Sequence, residues 1–315
     1  MEASVLVGQV ASLAAALCWS VSVTLFRAPI AEHGARAVNL AKSLLATVLL
    51  GTTMLAAGQG RELIEAPRYA LGLITVSALL GMTMGDTALF SAVHRVGVHR
   101  ALLLQTLSPV FAAFFAFVLY GEHPSPGQLL GAVVVLAGVV LVVAPRRRDP
   151  RSPALTSSGA AAGPPPSRVS ANAAGVAFGV LAAFGQGTGV VLAKAGMRDI
   201  PFLPASFLRL GVAALGLLAL LGLSSRLGVA RSVLAPAALR RLAAPTLIGT
   251  YLGILLMMAG IAFAPAALAA VLLSTSPVFS LFIDAKVSGA PITARGLLGT
   301  LLAVLGVAVL VFAGR

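Results

Sequence analysis

Charged side chains are scarce in this sequence. Asp, Glu, Lys and Arg make up 10% of the 315 residues, whereas a soluble globular domain contains about 25%. Hydrophobic residues make up 59%, and the mean hydropathy is +1.01. This composition excludes an ordinary soluble domain and predicts an integral membrane protein, with the lipid bilayer as its first partner.

The chain also lacks the residue patterns of common chemical sites. Its single cysteine, Cys18, lies inside an apolar run, which excludes a disulfide framework. The four histidines, His33, His94, His99 and His123, lie in or beside predicted loops without metal-ligand spacing, and a solvated basic face is the default interpretation of His94 and His99. No P-loop, G-x-S-x-G or zinc motif occurs. We therefore expect a protein that is not an enzyme and that needs no metal or cofactor.

Basic residues outnumber acidic ones, 22 to 9, which gives a net charge of +13. They lie mostly in the intervals between apolar runs, a pattern typical of cytoplasmic loops that contact anionic lipid headgroups. This placement argues against nucleic acid as a partner. The high ratio of Arg to Lys and the many alanines indicate a bacterial genome rich in G and C, and hence the bacterial inner (cytoplasmic) membrane.

Ten apolar runs are long enough to cross a bilayer, which takes about 20 residues. They lie at 4–26, 37–57, 69–93, 98–119, 127–144, 173–195, 202–223, 242–263, 266–287 and 294–313. The runs are too long for strands and lack alternation, which favours helices. A Pro-, Gly- and Arg-rich interval at 145–172 is typical of a flexible linker. The sequence therefore predicts three regions: a five-helix repeat at 1–144, this linker, and a second repeat at 173–315.

The two halves repeat each other. "TLSPVF" at 106–111 recurs as "STSPVF" at 274–279, and this offset of 168 continues without a gap from residue 81 to residue 143. With five spans per copy, the second copy enters the membrane in the opposite sense. We therefore predict an all-α integral membrane fold of ten transmembrane helices, built as two inverted five-helix repeats about an axis in the membrane plane.

Both copies of this motif contain a proline inside an apolar run. Pro109 and Pro277 each remove a helical hydrogen bond, so they predict kinks at equivalent depths in helices four and nine. The alternative is that each kink serves helix packing alone.

The repeat resembles the EamA-type family of the drug/metabolite transporter superfamily. The resemblance rests on Trp19 in "LAAALCWSVSVTLFR", on residues 85–142, and on "VLLSTSPVFSLFI" and "GLLGTLLAVLGVAVLV" in the second copy. It implies a ten-helix transporter with a central cavity between the halves. The second copy departs from the pattern at Ala290, where the first has Glu122, so we expect no shared functional role for that position.

The charges of the loops predict an orientation. The side that holds the 1–2, 3–4, 5–6, 7–8 and 9–10 connections contains 15 Lys and Arg residues, and the side that holds the termini contains 5. We call these sides the basic face and the terminal face. Because the more basic side stays in the cytoplasm, both termini are predicted to lie outside.

Only two of the nine acidic residues fall within candidate spans. Asp284 lies near a helix end and indicates an interfacial charge. Asp86 lies roughly 10 Å inside helix three, at 1.5 Å per residue, where a carboxylate needs a partner or a water-filled cavity. Lys42 in helix two lies near the same level, so we predict a Lys42–Asp86 pair. The alternative is that Lys42 extends to the interface while Asp86 bonds only to backbone.

The second copy changes this pair. Arg209 stands where the first copy has Lys42, but Ile254 stands where it has Asp86. A guanidinium without a matching acid suits an anionic ligand group such as a carboxylate, which it binds through two hydrogen bonds. The alternative is that Arg209 also extends its side chain to the interface.

Further polar or aromatic residues within the predicted helices are candidates for the wall of a substrate cavity. With Lys42, Asp86 and Arg209, these candidates are Trp19, Thr24, Thr83, Gln105, Gln186, Thr188 and Tyr251. Any of their side chains could instead bond to a helix carbonyl.

Polar residues at matched depths in two inverted halves favour a secondary transporter of small organic solutes or metabolites, exporter-like and working by alternating access. The alternative is a non-transporting membrane scaffold or receptor. The sequence leaves open the substrate, the coupling ion, and whether the protein is a monomer or a homodimer.

Overall fold

The structure, a computed structural model, describes residues 2–121, 123–144, 173–225, 227–264, 266–289 and 291–313. Within them, ten helices are long and apolar enough to cross a bilayer. We number them spans 1 to 10: Val5–His33, Ala35–Ala56, Arg68–Val96, Val98–Leu119, Pro126–Val143, Ala173–Gly196, Phe202–Leu223, Pro236–Gly260, Leu268–Val287 and Ala294–Phe312. The predicted ten-span, all-helical class is confirmed. The predicted linker, Glu122 and Ala290 lie outside the described residues.

Several connections are shorter than the sequence predicts. The first helix runs from Glu2 to His33, beyond the predicted end at residue 26, because one residue, Gly34, makes the whole turn into span 2. Gly34 has a φ of +81°, a backbone conformation that glycine adopts without a steric penalty. Gly97, with a φ of +84°, makes the same kind of turn between spans 3 and 4. Short helices at Gly60–Ile64 and Leu227–Val233 lie in the 2–3 and 7–8 connections.

Spans 5 and 10 reveal the symmetry of the fold. At the offset of 168, Gly131 corresponds to Gly299 and Gly138 corresponds to Gly306. A Cβ on Gly299 would lie 2.7 Å from the carbonyl oxygen of Gly138, and a Cβ on Gly306 would lie 2.9 Å from that of Gly131. Residue numbers therefore rise along one helix as they fall along the other, and the contacts are reciprocal. Two equivalent helices in this arrangement are related by an axis perpendicular to both, so the predicted inversion is confirmed.

Spans 4 and 9 are interrupted at the repeated Ser-Pro sequence. Span 4 consists of Val98–Gln105 and Ser108–Tyr120, and the corresponding segments of span 9 are Ala266–Leu273 and Ser276–Ser288. In both spans the proline occupies the first turn of the second segment, where its missing N–H would have had no intrahelical partner. The interruptions thus fall where the sequence predicts kinks.

Spans 3 and 8 each contain a π-helical segment, which the sequence analysis did not predict. Span 3 contains Ala78–Gly85 between Arg68–Ser77 and Asp86–Val96. Span 8 contains Thr246–Leu252 between Pro236–Pro245 and Gly253–Phe263. The two π segments begin at positions exactly one repeat offset apart. Such wide turns often occur at functional sites, because they redirect the side chains that follow.

Candidate functional site

A cavity of about 350 Å³ lies between the two halves. Spans 1 to 4 and spans 6 to 9 all contribute residues to its wall, whereas spans 5 and 10 pack against each other outside it. The volume falls within the range of small-molecule sites, about 300–1,000 Å³. The interrupted spans 4 and 9 and both π-containing spans meet at this cavity, so irregular backbone lies next to it.

Lys42 and Asp86 form an ion pair in the cavity wall. The Nζ atom of Lys42 donates a hydrogen bond to Oδ2 of Asp86, and both residues are buried, with 2% and 4% exposed surface. The ammonium group also lies 5.3 Å from the ring centroid of Phe90, within the range of a cation–π interaction. The predicted pair is confirmed, and the alternative in which Lys42 reaches the membrane interface is wrong.

The π segment of span 3 positions the carboxylate of this pair. Asp86 follows the segment directly, and its N–H donates to the carbonyl oxygen of Gly81, five residues back. Asn39, one turn before Lys42 on span 2, donates from Nδ2 to the carbonyl oxygen of Met82 at 2.8 Å and to Oγ1 of Thr87 at 3.0 Å. These bonds tie the wide turn to span 2, so the lysine and the carboxylate are held in register.

Arg209 also lines the cavity, but without a partner of this kind. Among the residues that the structure describes, no carboxylate oxygen lies within 4.0 Å of its guanidinium, and its Nε atom is buried without a hydrogen-bond partner. Arg209 packs with Gln186 against Gly81: a Cβ there would lie 3.3 Å from Oε1 of Gln186 and 3.4 Å from Nη2 of Arg209. Its side chain therefore points inward, and the alternative of an extension to the interface is wrong.

The remaining predicted cavity residues divide into two groups. Trp19, Gln105 and Gln186 line the cavity, as do both kink prolines, Pro109 and Pro277. Four others are absent from the wall: Thr24, Thr83, Thr188 and Tyr251.

The hydroxyl groups of these four residues, which were predicted to line the cavity, have partners inside the helix bundle instead. Thr24 and Thr188 donate to the carbonyl oxygens four residues earlier on their own helices, at 2.9 and 2.8 Å. The hydroxyl of Thr83 lies 3.5 Å from the carbonyl oxygen of Ala213. The hydroxyl of Tyr251 pairs with that of Thr53 at 2.8 Å. Helical periodicity alone did not reveal which face of each helix points to the cavity.

The wall also contains polar residues that the sequence analysis did not select. These are Thr106, Ser108, Ser206, Thr250, Ser274 and Ser276. Ser108 and Ser276 belong to the repeated Ser-Pro motif, so their symmetric placement was a usable signal. Nothing in the sequence distinguishes Ser206 or Thr250 from the other hydroxyl residues of the helices.

His99 is buried, so its interpretation as part of a solvated face is wrong. It is 9% exposed, with Nδ1 3.3 Å from the carbonyl oxygen of Pro277 and Nε2 3.5 Å from Oγ1 of Thr300. The reason is packing between the halves: position 99 lies in the first turn of span 4, where spans 9 and 10 cover it. His99 therefore links the first half to the second beside the break in span 9.

Comparison with known proteins identifies the family. Residues 6–144 and 173–312 each match the profile of the EamA-like transporter family, and together they include most of the chain. The chain belongs to this family. Each half is thus one EamA unit, and the family to which the chain belongs is one of transporters and not of enzymes, as the resemblance implied.

Individual similar proteins give less information about function than the family does. An uncharacterized transporter of Archaeoglobus fulgidus (strain ATCC 49558 / DSM 4304 / JCM 9628 / NBRC 100126 / VC-16) is 29% identical over 131 residues, which are 42% of this chain and 46% of that protein. The match thus spans about half the length of this relative. One solved crystal structure aligns with 98% of this chain and 96% of its own, with a TM-score of 0.58 and 18% identity. At this identity the likeness concerns the fold alone.

The cavity of this EamA protein is closed toward the basic face. Its floor contains Leu102 and the Lys42–Asp86 pair, all nearly fully buried. Beyond this floor, apolar residues of spans 1 to 4 pack into one continuous cluster with residues of spans 6 and 8. Ion pairs also join spans across this face: Arg27 with Asp284 at 3.6 Å, and Arg241 with Glu32 at 3.1 Å.

The cavity wall also extends toward the terminal face. It reaches Phe202, the first residue of span 7, and Met257, three residues before the end of span 8, and both are partly exposed. Phe263, at the end of the Gly253–Phe263 helix, is 52% exposed. The cavity wall therefore extends from the buried Lys42–Asp86 pair to residues near the ends of spans 7 and 8 at the terminal face.

Proposed function

We propose that this EamA protein is a secondary transporter of small organic solutes or metabolites that works by alternating access between its inverted halves. The observation that carries the proposal is the cavity between the repeats, which has charged and amide side chains at mid-depth and an apolar cluster that closes it toward the basic face. A binding site at the interface of inverted repeats, next to discontinuous helices, is the arrangement that secondary transporters use.

The repeats themselves define a second state. In the described conformation, Asp86–Val96 of span 3 packs against span 6 and the corresponding Gly253–Phe263 of span 8 packs against span 1, but more residues of the first segment than of the described part of the second are buried. If the halves exchange these conformations, span 8 seals the terminal face and span 3 opens the basic face. The π segments lie where each gate segment begins, so they are the natural hinges of this exchange.

Arg209 is the residue that we propose to bind the solute, through an anionic group such as a carboxylate. Its guanidinium faces the cavity, and its Nε atom lacks a hydrogen-bond partner in the described part of the chain. An arginine that binds a carboxylate with two hydrogen bonds provides both affinity and orientation. The other predicted wall residues, Trp19, Gln105 and Gln186, would then contact the rest of the solute.

Orientation and direction belong to the same proposal. The 15 Lys and Arg residues of the basic face, against 5 on the terminal face, place the basic face in the cytoplasm of a bacterial inner membrane. The described conformation is then open to the outside, as an exporter is when it releases its solute. A reporter active only in the periplasm, fused after Arg315, should be active, and cytoplasmic labelling of this terminus would overturn the orientation.

Transport is tested in two steps. Extracellular metabolites are compared between a deletion strain and an overexpressing strain, and each solute whose export rises is then tested for exchange in proteoliposomes containing the purified protein. Arg209→Gln should abolish most of this exchange while the folded protein persists. Arg198→Gln is the matched control, because Arg198 is exposed near the terminal face. Normal exchange by Arg209→Gln would remove the ligand role of Arg209, and an absence of any exchange by the wild type would argue against transport.

A further inference from the structure

The charges of the cavity restrict the chemical class of the solute. Three charged residues line it, Lys42, Asp86 and Arg209, so the described wall has a net charge of +1. Asp86 is held by Lys42, which leaves the positive charge of Arg209 as the one without a close counter-ion among the described residues. From this balance we propose that the solute is a monocarboxylate that is uncharged elsewhere. This inference rests on the proposed transport function.

A second group of atoms indicates what the rest of the solute contains. Besides Nε of Arg209, three buried polar atoms of the wall lack a hydrogen-bond partner in the described part of the chain: Nε2 of Gln105, Oε1 of Gln186 and Oγ1 of Thr250. These atoms have almost no accessible surface, but Gln105, Gln186 and Thr250 line the cavity, and a turn of their side chains would present groups that donate and accept hydrogen bonds to a ligand. An amide or a hydroxyl group does both, and it fits whichever way the glutamine amides are oriented.

The same wall disfavours a solute with an ammonium group. A buried cation needs an acidic partner, and the acidic residue of the described wall, Asp86, already accepts from Lys42. An ammonium close to Asp86 would also be repelled by Lys42 and Arg209 at short range and low dielectric. The apolar part of the wall, which includes Trp19, Met82, Met257 and Leu273, suits an uncharged hydrocarbon body instead. A neutral amide on an aliphatic monocarboxylate matches all of these features.

The sequence provides an internal reporter for binding. Trp19 is the single tryptophan of the chain, and it lines the cavity. Intrinsic fluorescence of the full chain in lipid nanodiscs therefore reports the occupancy of the cavity. Four probes share one aliphatic side chain and differ in charge: N-acetyl-L-leucine is an anion, N-acetyl-L-leucinamide is neutral, L-leucine is a zwitterion, and L-leucinamide is a cation.

We expect a saturable change in fluorescence with N-acetyl-L-leucine, and at least about tenfold weaker responses with the other three probes. Arg209→Gln should weaken the binding of N-acetyl-L-leucine at least about tenfold and bring it to the level of N-acetyl-L-leucinamide. Arg198→Gln, which removes an exposed arginine, should bind like the wild type. A melting curve of each variant separates a lost site from a lost fold.

Several results would overturn the inference. One is binding of L-leucine or L-leucinamide as tight as that of N-acetyl-L-leucine, and another is no response to N-acetyl-L-leucine by the folded protein. The proposed transport function fails separately, and it does so if N-acetyl-L-leucine binds but is not exchanged across proteoliposomes and no other solute is. Exchange of a zwitterion or a cation would retain the function and remove this substrate class.

Discussion

Two segments of the same repeat, Asp86–Val96 in span 3 and Gly253–Phe263 in span 8, have different surroundings in this protein. Seven of the eleven residues in the first segment are buried. In the second, residues 254–259 are all partly exposed, and Phe263 is 52% exposed. Duplication gave both halves the same helix and π segment, yet the first copy is the more buried one in this conformation. In the proposed transport cycle the two copies exchange these surroundings.

A second comparison concerns charge. The first half has the buried pair Lys42–Asp86, and the second half has Arg209 and Ile254 at the matching positions. One half therefore contains a self-neutralised ion pair, and the other contains a cation that faces the cavity. This second difference is built into the sequence and persists in both states, so it can define a binding site, whereas the difference in packing cannot.

Breaking the buried pair should have the largest effect. Lys42→Ala or Asp86→Ala leaves one charge buried without its partner, a change that costs about 3–5 kcal/mol in proteins where such pairs have been broken. Each variant should show a markedly lower melting temperature and yield of monodisperse protein in size-exclusion chromatography. The double variant should recover part of this loss, because no uncompensated charge remains. Effects that simply add would show that the two residues act independently.

Restoring the missing acid should convert the second half into a copy of the first. In Ile254→Asp, the new carboxylate occupies the position that corresponds to Asp86 and should pair with Arg209. Arg209 is then no longer free to bind the carboxylate of the solute. Because charge-assisted hydrogen bonds are lost, the variant should bind the solute of the wild-type protein at least about tenfold more weakly.

Ile254→Asn is the matched control for this prediction, since it has the same shape without the charge. It should bind more tightly than Ile254→Asp, with both measured through Trp19 fluorescence. Equal binding by the two variants would mean that charge at this position is irrelevant to the site.

Gly253→Ala should slow transport without destabilising the described conformation. A Cβ at Gly253 would meet only the carbonyl oxygen of Ile248, at 3.7 Å, so this conformation accepts it. At the equivalent Gly85 a Cβ would lie 3.3 Å from the carbonyl oxygen of Leu80 and 3.5 Å from that of Ala182. When the gates exchange, position 253 takes on the crowding of position 85, which should cost about 1 kcal/mol and shift the equilibrium about fivefold toward the described state.

The expected result is slower exchange in proteoliposomes with an unchanged or higher melting temperature. Gly85→Ala, which crowds the present conformation, should instead lower the melting temperature. Equal behaviour of the two variants would contradict an exchange of conformations between the halves.

An exposed ion pair should have the smallest effect. Arg241 and Glu32 pair across the basic face, with side chains that are 70% and 54% exposed. Solvent and salt screen such a pair, so Arg241→Gln should change the stability by less than about 1 kcal/mol, and the change should shrink further at high salt. A loss as large as that of Lys42→Ala would show that this pair holds the basic gate closed.

The sequence alone predicted the spans, the duplication and the inversion. The ten spans follow from comparing the length of each apolar run with the thickness of the bilayer, and the inversion follows from the odd number of spans per copy. Neither inference depends on detailed packing. The sequence also predicted the Lys42–Asp86 pair, because a buried charge at a given depth has few available partners. Trp19, Gln105, Gln186 and Arg209 were selected because polar and aromatic side chains are uncommon within these apolar helices, and all four line the cavity.

Tertiary structure decided the rest. The π segments at Ala78–Gly85 and Thr246–Leu252 depend on how neighbouring helices meet the glycines there, which is not a local property of the sequence. Thr24 and Thr188 turned away from the cavity because a hydroxyl on a helix can always bond to its own backbone. His99 became buried because spans 9 and 10 of the second half pack over the start of span 4. Which of the two matching segments, Asp86–Val96 or Gly253–Phe263, is the more buried was likewise decided by packing between the halves, because the pattern that the repeats share does not distinguish them.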